Sequence, residues 1–154
     1  MLSNGHFLLG GLLILLAGAF DLLDGAVARV TERVTKFGGL LDSTLDRYSE
    51  AVLLFGLLIF FAKQNAALEM ILIFATIVGS MLVSYIRARA EGMGLHCEVG
   101  IMRRTARIVT LSLGLILSSI NPILLVVALW VLAILTNFTA VHRLFYVWQR
   151  TRKE

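Results

Sequence analysis

Cysteine is almost missing from this chain. Cys97 is the only one, and a single thiol cannot build the disulfide framework of a small secreted domain. Charge is scarce too: Asp, Glu, Lys and Arg make up 16% of the residues, against about 25% in soluble globular domains. No basic stretch precedes the first apolar segment, which runs on through two aspartates, so it reads as a retained helix rather than a cleaved signal peptide. The apolar runs lack the period-2 alternation of a membrane barrel, and no internal repeat or low-complexity stretch stands out. What fills the 154 residues is apolar: 58% of the total, with a mean hydropathy of +0.88. That content excludes intrinsic disorder. With runs approaching the length of a membrane span, it places the chain in a bilayer as one all-α domain, residues 1–154.

Five apolar segments cover residues 7–27, 44–62, 66–86, 106–120 and 122–147. At 1.5 Å per residue, about 20 residues cross the ~30 Å hydrocarbon core. Asn121 and Pro122 alone separate the last two, which fits a tight turn with Pro opening a helix. The basic residues sort by side. Arg29, Arg33, Lys36 and Arg47 surround the first connection, and Arg87, Arg89, Arg103, Arg104 and Arg107 the third. Arg143, Arg150, Arg152 and Lys153 lie at the end of the fifth segment and beyond it. Only Lys63 stands on the opposite side, so thirteen of the fourteen Lys and Arg mark the cytoplasmic face of a multi-pass cell-membrane protein. The net charge of +4 is therefore topology rather than a nucleic-acid footprint. Five spans put the N-terminus outside, and residues 1–6 make a very short translocated start, so an upstream helix is expected to be absent from this chain.

Four carboxylates interrupt the apolar pattern. Asp21, Asp24, Asp42 and Asp46 lie in or at the cytoplasmic ends of two successive helices, where a central charge costs about 2.5–3.5 kcal/mol by insertion scales. Asp21 and Asp24 are i,i+3, and Asp42 and Asp46 are i,i+4, so each pair shares one helix face. A short connection makes the two helices antiparallel neighbours, and all four acids can converge at one depth. Clustered hard oxygens suit Mg²⁺, Mn²⁺ or Ca²⁺. The competing readings are simple ion pairing with Arg29, Arg33 or Arg47, and a cation path through a channel or transporter. The latter leaves Gly25 and Ala28, interleaved with the acids, without a role.

The pattern Asp21-x-x-Asp24-Gly25-x-x-Ala28-Arg29, eight residues, then Gly38-x-x-x-Asp42-x-x-x-Asp46 resembles the signature of the CDP-alcohol phosphotransferases. The resemblance implies a six-helix membrane enzyme, usually a homodimer, in which a hydroxyl displaces CMP from a CDP-linked lipid or alcohol. The five segments here would match helices two to six. By the same resemblance, Asp21, Asp24, Asp42 and Asp46 would hold Mg²⁺ or Mn²⁺, and Asp46 would also act as general base. Gly25, Ala28 and Arg29 would line the pocket for CDP-diacylglycerol or CDP-archaeol. The chemistry is consistent on its own terms: metal at the pyrophosphate neutralises charge on the leaving CMP, and a carboxylate takes the acceptor proton.

A second stretch, Ser84-Tyr85-Ile86-Arg87-Ala88-Arg89-Ala90-Glu91, precedes Arg103-Arg104-Thr105-Ala106-Arg107 across a connection on the same side. Five arginines exceed what orientation requires, and Arg reads phosphate bidentately. Snorkelling and binding of anionic headgroups is the alternative. The stretch is similar to the inositol-phosphate branch of the same family. That likeness implies that Ser84, Arg87 and Arg104 cradle an acceptor phosphate, with Arg107 nearby. Arg103 and Ala106 depart from that branch, standing where acidic residues are common. The Gly-Lys-x-Lys-Thr segment of glycerophosphate transferases is absent, as is the Ala-Arg-Phe-Asn segment of phosphatidylserine synthases. The expected activity is transfer of a phosphatidyl or archaetidyl group to a phosphorylated polyol, inositol phosphate first and glycerol phosphate second. The alternative of another class is a truncated, non-catalytic membrane protein. Glu50, one turn beyond Asp46, reads as support for the site or a partner for Arg47. Trp130 reads as packing, and Tyr146 and Trp148 as an interfacial anchor.

Overall fold

The computed structural model describes residues 2–30 and 35–152, with the backbone alone over 21–30. A 3-10 turn at Leu2–Asn4 leads into five helices: α1 (Phe7–Val30), α2 (Lys36–Lys63), α3 (Ala67–Glu91), α4 (Arg104–Leu117) and α5 (Ile123–Thr151). Each expected segment has its helix, but the ends move. α2 starts eight residues ahead of its apolar segment because Thr35 caps it: the Thr35 hydroxyl accepts from the Gly38 amide at 3.0 Å. Asp42 and Asp46 consequently lie inside a formed helix rather than at its mouth. α4 stops at Leu117, and residues 118–120 form a turn. Its 14 residues reach only about 21 Å. Among the described residues, α3 and α5 are the helices long and apolar enough to cross a bilayer, and α1 contributes a shorter apolar stretch, Phe7–Phe20.

Leu54, Leu57, Ile73, Leu115, Leu125, Leu129 and Leu132 form the dry centre, each almost fully buried. α3 packs most closely on α5, α1 on α4, α4 on α5 and α2 on α3. Small residues set these distances, as they do between membrane helices. A Cβ at Gly79 of α3 would run into Thr136 of α5, and one at Gly114 of α4 into Ala128 of α5. Gly11 of α1 lies against α4, where a Cβ would stand 2.9 Å from the Ser112 carbonyl oxygen. Overpacking a filled interface costs about 1–3 kcal/mol. Gly79→Val is therefore expected to lower the melting temperature of the detergent-solubilised protein. An unchanged melting temperature would show that α3 and α5 can separate freely.

Both α1 and α2 line a cavity, and among the described residues α1 packs most closely on α4. Sequence spacing shows which residues share a face but not which helix that face meets. One expectation is revised. Trp130 is 44% exposed on the outside of α5 rather than packed inside, since an apolar surround lets large apolar side chains face outward. At the far end of α5 the guanidinium groups of Arg150 and Arg152 lie over the rings of Tyr146 and Trp148, at 5.4 and 5.5 Å.

Candidate active site

Asp42 and Asp46 stand one turn apart on α2 and both line a cavity of about 1210 Å³. Its walls come from α1, α2 and α4, and beyond the two aspartates they are mostly apolar: Leu13, Ile14, Leu45, Val52, Leu53 and Ile108. Gly10, Gly18 and Gly56 add wall without side chains. A space with carboxylates at one end and aliphatic walls over the rest suits a ligand with a polar head and long tails. Asp46 Oδ1 lies 2.6 Å from Arg104 Nη2 of α4. This carboxylate already meets positive charge where the two helices face each other, and hard oxygens one turn apart fit Mg²⁺ or Mn²⁺. No group of three or more His, Cys, Asp or Glu side chains gathers among the described residues. The side chains of Asp21, Asp24, Gly25, Ala28 and Arg29 lie outside the described residues; the α1 backbone carries those positions as continuous helix.

A second, smaller cavity of about 190 Å³ shares the Asp46–Arg104 pair, and both residues line it. Here the walls are polar. Ser84, Arg87, Arg104 and Arg107, named from two separate stretches of sequence, come together in it. Arg89 is exposed and is not part of its wall. Arg87 pairs with Glu91 at 2.8 Å and approaches Glu98 at 3.6 Å.

Arg107 is placed differently from Arg104. It is 3% exposed, and its Nε and Nη2 donate to the two carboxylate oxygens of Glu50 at 2.6 and 2.7 Å. Its Nη1 donates to the Met102 carbonyl at 3.1 Å. Glu50 also accepts from the Ser80 hydroxyl at 2.9 Å. The partner of Glu50 is thus Arg107 and not Arg47, which donates instead to the Ser43 carbonyl. Removing one member of a buried ion pair of this kind costs about 3–5 kcal/mol.

Sequence reasoning missed Arg143, which it counted among the orientation charges. Arg143 is 3% exposed, lines the smaller cavity, and donates to the Val83 and Val99 carbonyls at 2.8 Å each. It ties the α3–α4 connection to α5. Gly100 in that connection has φ +107°, and a Cβ there would collide with Thr139 one turn before Arg143. The signal was available: Thr136, Thr139, Ala140 and Arg143 make an inward stripe at helical spacing. Cys97, in the same connection, is fully buried, and burial pushes its thiol pKa up, so it stays protonated at neutral pH.

The sequence profile of the CDP-alcohol phosphatidyltransferases matches residues 1–141. Archaetidylinositol phosphate synthase of Methanothermobacter thermautotrophicus is 38% identical over 151 residues, covering 97% of this chain and 75% of that protein. Phosphatidylinositol phosphate synthase of Corynebacterium glutamicum is 34% identical over 148 residues, 94% and 67% of the two chains. The crystal structure of the Mycobacterium tuberculosis phosphatidylinositol phosphate synthase with CDP-DAG bound superposes with a TM-score of 0.89 at 34% identity, covering 96% of this chain and 76% of that one. A second structure of that synthase, in complex with manganese and citrate, matches equally well. With Asp46 shared by an apolar and an arginine-lined cavity, and this likeness along nearly its whole length, the chain belongs to the CDP-alcohol phosphatidyltransferase family.

Proposed function

We propose that the chain transfers a phosphatidyl or archaetidyl group from a CDP-lipid to inositol phosphate and releases CMP. The observation that carries this reading is the meeting of two unlike cavities at Asp46 and Arg104. The larger suits the lipid tails and pyrophosphate of the donor. The smaller, with Arg87, Arg103, Arg104, Arg107 and Arg143 in its wall, suits an acceptor that brings its own phosphate. Relatives named for inositol phosphate products support the choice of polyol.

The residues divide the work along the same line. Ser84, Arg87 and Arg104 hold the acceptor phosphate, and Arg107 braces the wall behind them. Gly25, Ala28 and Arg29 of α1 take the CDP end. Asp21, Asp24, Asp42 and Asp46 hold Mg²⁺ or Mn²⁺, which supplies neutralisation of the charge that builds on the departing CMP. Asp46 takes the proton of the acceptor hydroxyl as its oxygen bonds to the lipid-side phosphorus and the bond from that phosphorus to CMP breaks. The five helices correspond to helices two to six of a six-helix bundle in the cell membrane. Its active site faces the cytoplasm, and the protein works as a homodimer. The test is CMP release from CDP-diacylglycerol and CDP-archaeol with Mg²⁺ or Mn²⁺, comparing inositol phosphate, glycerol phosphate and free inositol. Inositol phosphate is expected to be used best. Preference for glycerol phosphate moves the acceptor within the family, and preference for free inositol removes the arginine cavity from the mechanism.

A further inference from the structure

α2 and α4 carry facing halves of the site, yet they are not among the closely packed helix pairs. Long side chains span the slot between them instead, in two rungs. Asp46–Arg104 is the outer rung, with side chains 18% and 36% exposed. Glu50–Arg107 is the inner one, at 7% and 4%. Glu50 follows Asp46 by four residues, and Arg107 follows Arg104 by three, so the inner rung sits one turn behind the outer on both helices. The outer rung is the one within reach of substrates, since both of its residues line both cavities. The inner rung is almost fully buried and its carboxylate takes three donors, from Arg107 and Ser80. An apolar pair of similar volume could hold the helices as firmly. What it lacks is the planar fork that fixes both distance and rotation.

We infer that Glu50 is a positioning residue for the transfer: by gripping Arg107 it sets the first turn of α4 so that Arg104 meets Asp46 and the acceptor phosphate. This rests on the acceptor reading above. The test compares wild type, Glu50→Gln, Glu50→Asp and the paired Glu50→Leu/Arg107→Met in detergent. Melting temperature, the KM for each substrate and calorimetric binding of inorganic phosphate are all measured. Variants are compared on whichever acceptor the wild type prefers, so a wild type that rejects inositol phosphate counts against the acceptor reading alone. Glu50→Gln keeps Arg107 yet is expected to raise the acceptor KM about tenfold or more and weaken phosphate binding in parallel, with the CDP-lipid KM nearly unchanged. Glu50→Asp recovers part of the loss. The paired variant melts close to wild type and still has the raised acceptor KM. A folded Glu50→Gln or paired variant with wild-type acceptor KM and phosphate binding overturns the assignment. So does failure of both to fold, which would make the pair a folding element only.

Discussion

Asp46→Asn is expected to yield a protein that inserts, purifies and binds CDP-lipid, but turns over about 10²–10⁴-fold more slowly, the usual cost of losing a general base. The substitution keeps the shape of the side chain and an oxygen able to accept from Arg104, which lies 2.6 Å from it. It removes the ability to take the proton of the acceptor hydroxyl. The loss should therefore fall on kcat, with the CDP-lipid KM little moved. Asp42→Asn, one turn away on the same cavity wall, should differ in balance. Asp42 is assigned to the metal alone, so its loss should fall first on Mn²⁺ binding, whereas Asp46→Asn loses the base as well as one metal oxygen and should show the larger fall in turnover at saturating Mn²⁺. Mn²⁺ titration followed by electron paramagnetic resonance separates the two variants. Full activity in both would remove α2 from the chemistry altogether.

Arg104→Ala should act on the other substrate. Arg104 lines both cavities and is the arginine beside Asp46, whereas the Arg107 guanidinium already forks onto Glu50. Hydrogen bonds to charged groups are worth about 1.5–3 kcal/mol each, so the acceptor should bind roughly 10- to 100-fold more weakly. CDP-lipid affinity should barely change. Arg104→Lys should recover only part of the loss, because an ammonium cannot reproduce the planar fork. Steady-state kinetics with the acceptor varied at saturating CDP-lipid measure this directly. An unchanged acceptor KM in Arg104→Ala would reduce the arginine to a marker of membrane orientation.

What the sequence determined by itself was everything that depends on helical period and composition. The apolar segments, the pairing of Asp42 with Asp46 on one face, and the arginine-rich stretches on one side follow from the 3.6-residue repeat and the scarcity of charge. The match of eight positions between Asp21 and Asp46 to a family signature is likewise local, within 26 residues. Helix ends were less legible: α2 begins at Lys36 because a threonine cap, not hydropathy, starts it. Only the tertiary structure decided how the faces meet. Glu50 and Arg107 are 57 residues apart, and no spacing rule could pair them or take Arg47 away from Glu50. Arg143 became part of the site because α5 packs on α3 and carries it to the Val83 and Val99 carbonyls. The cavity walled by α1, α2 and α4 has the same origin. A helix's own sequence fixes which residues share a side, but the choice of partner for that side depends on packing the whole chain at once, where small residues such as Gly79 and Gly114 let some helices close up and bulky or charged faces hold others apart.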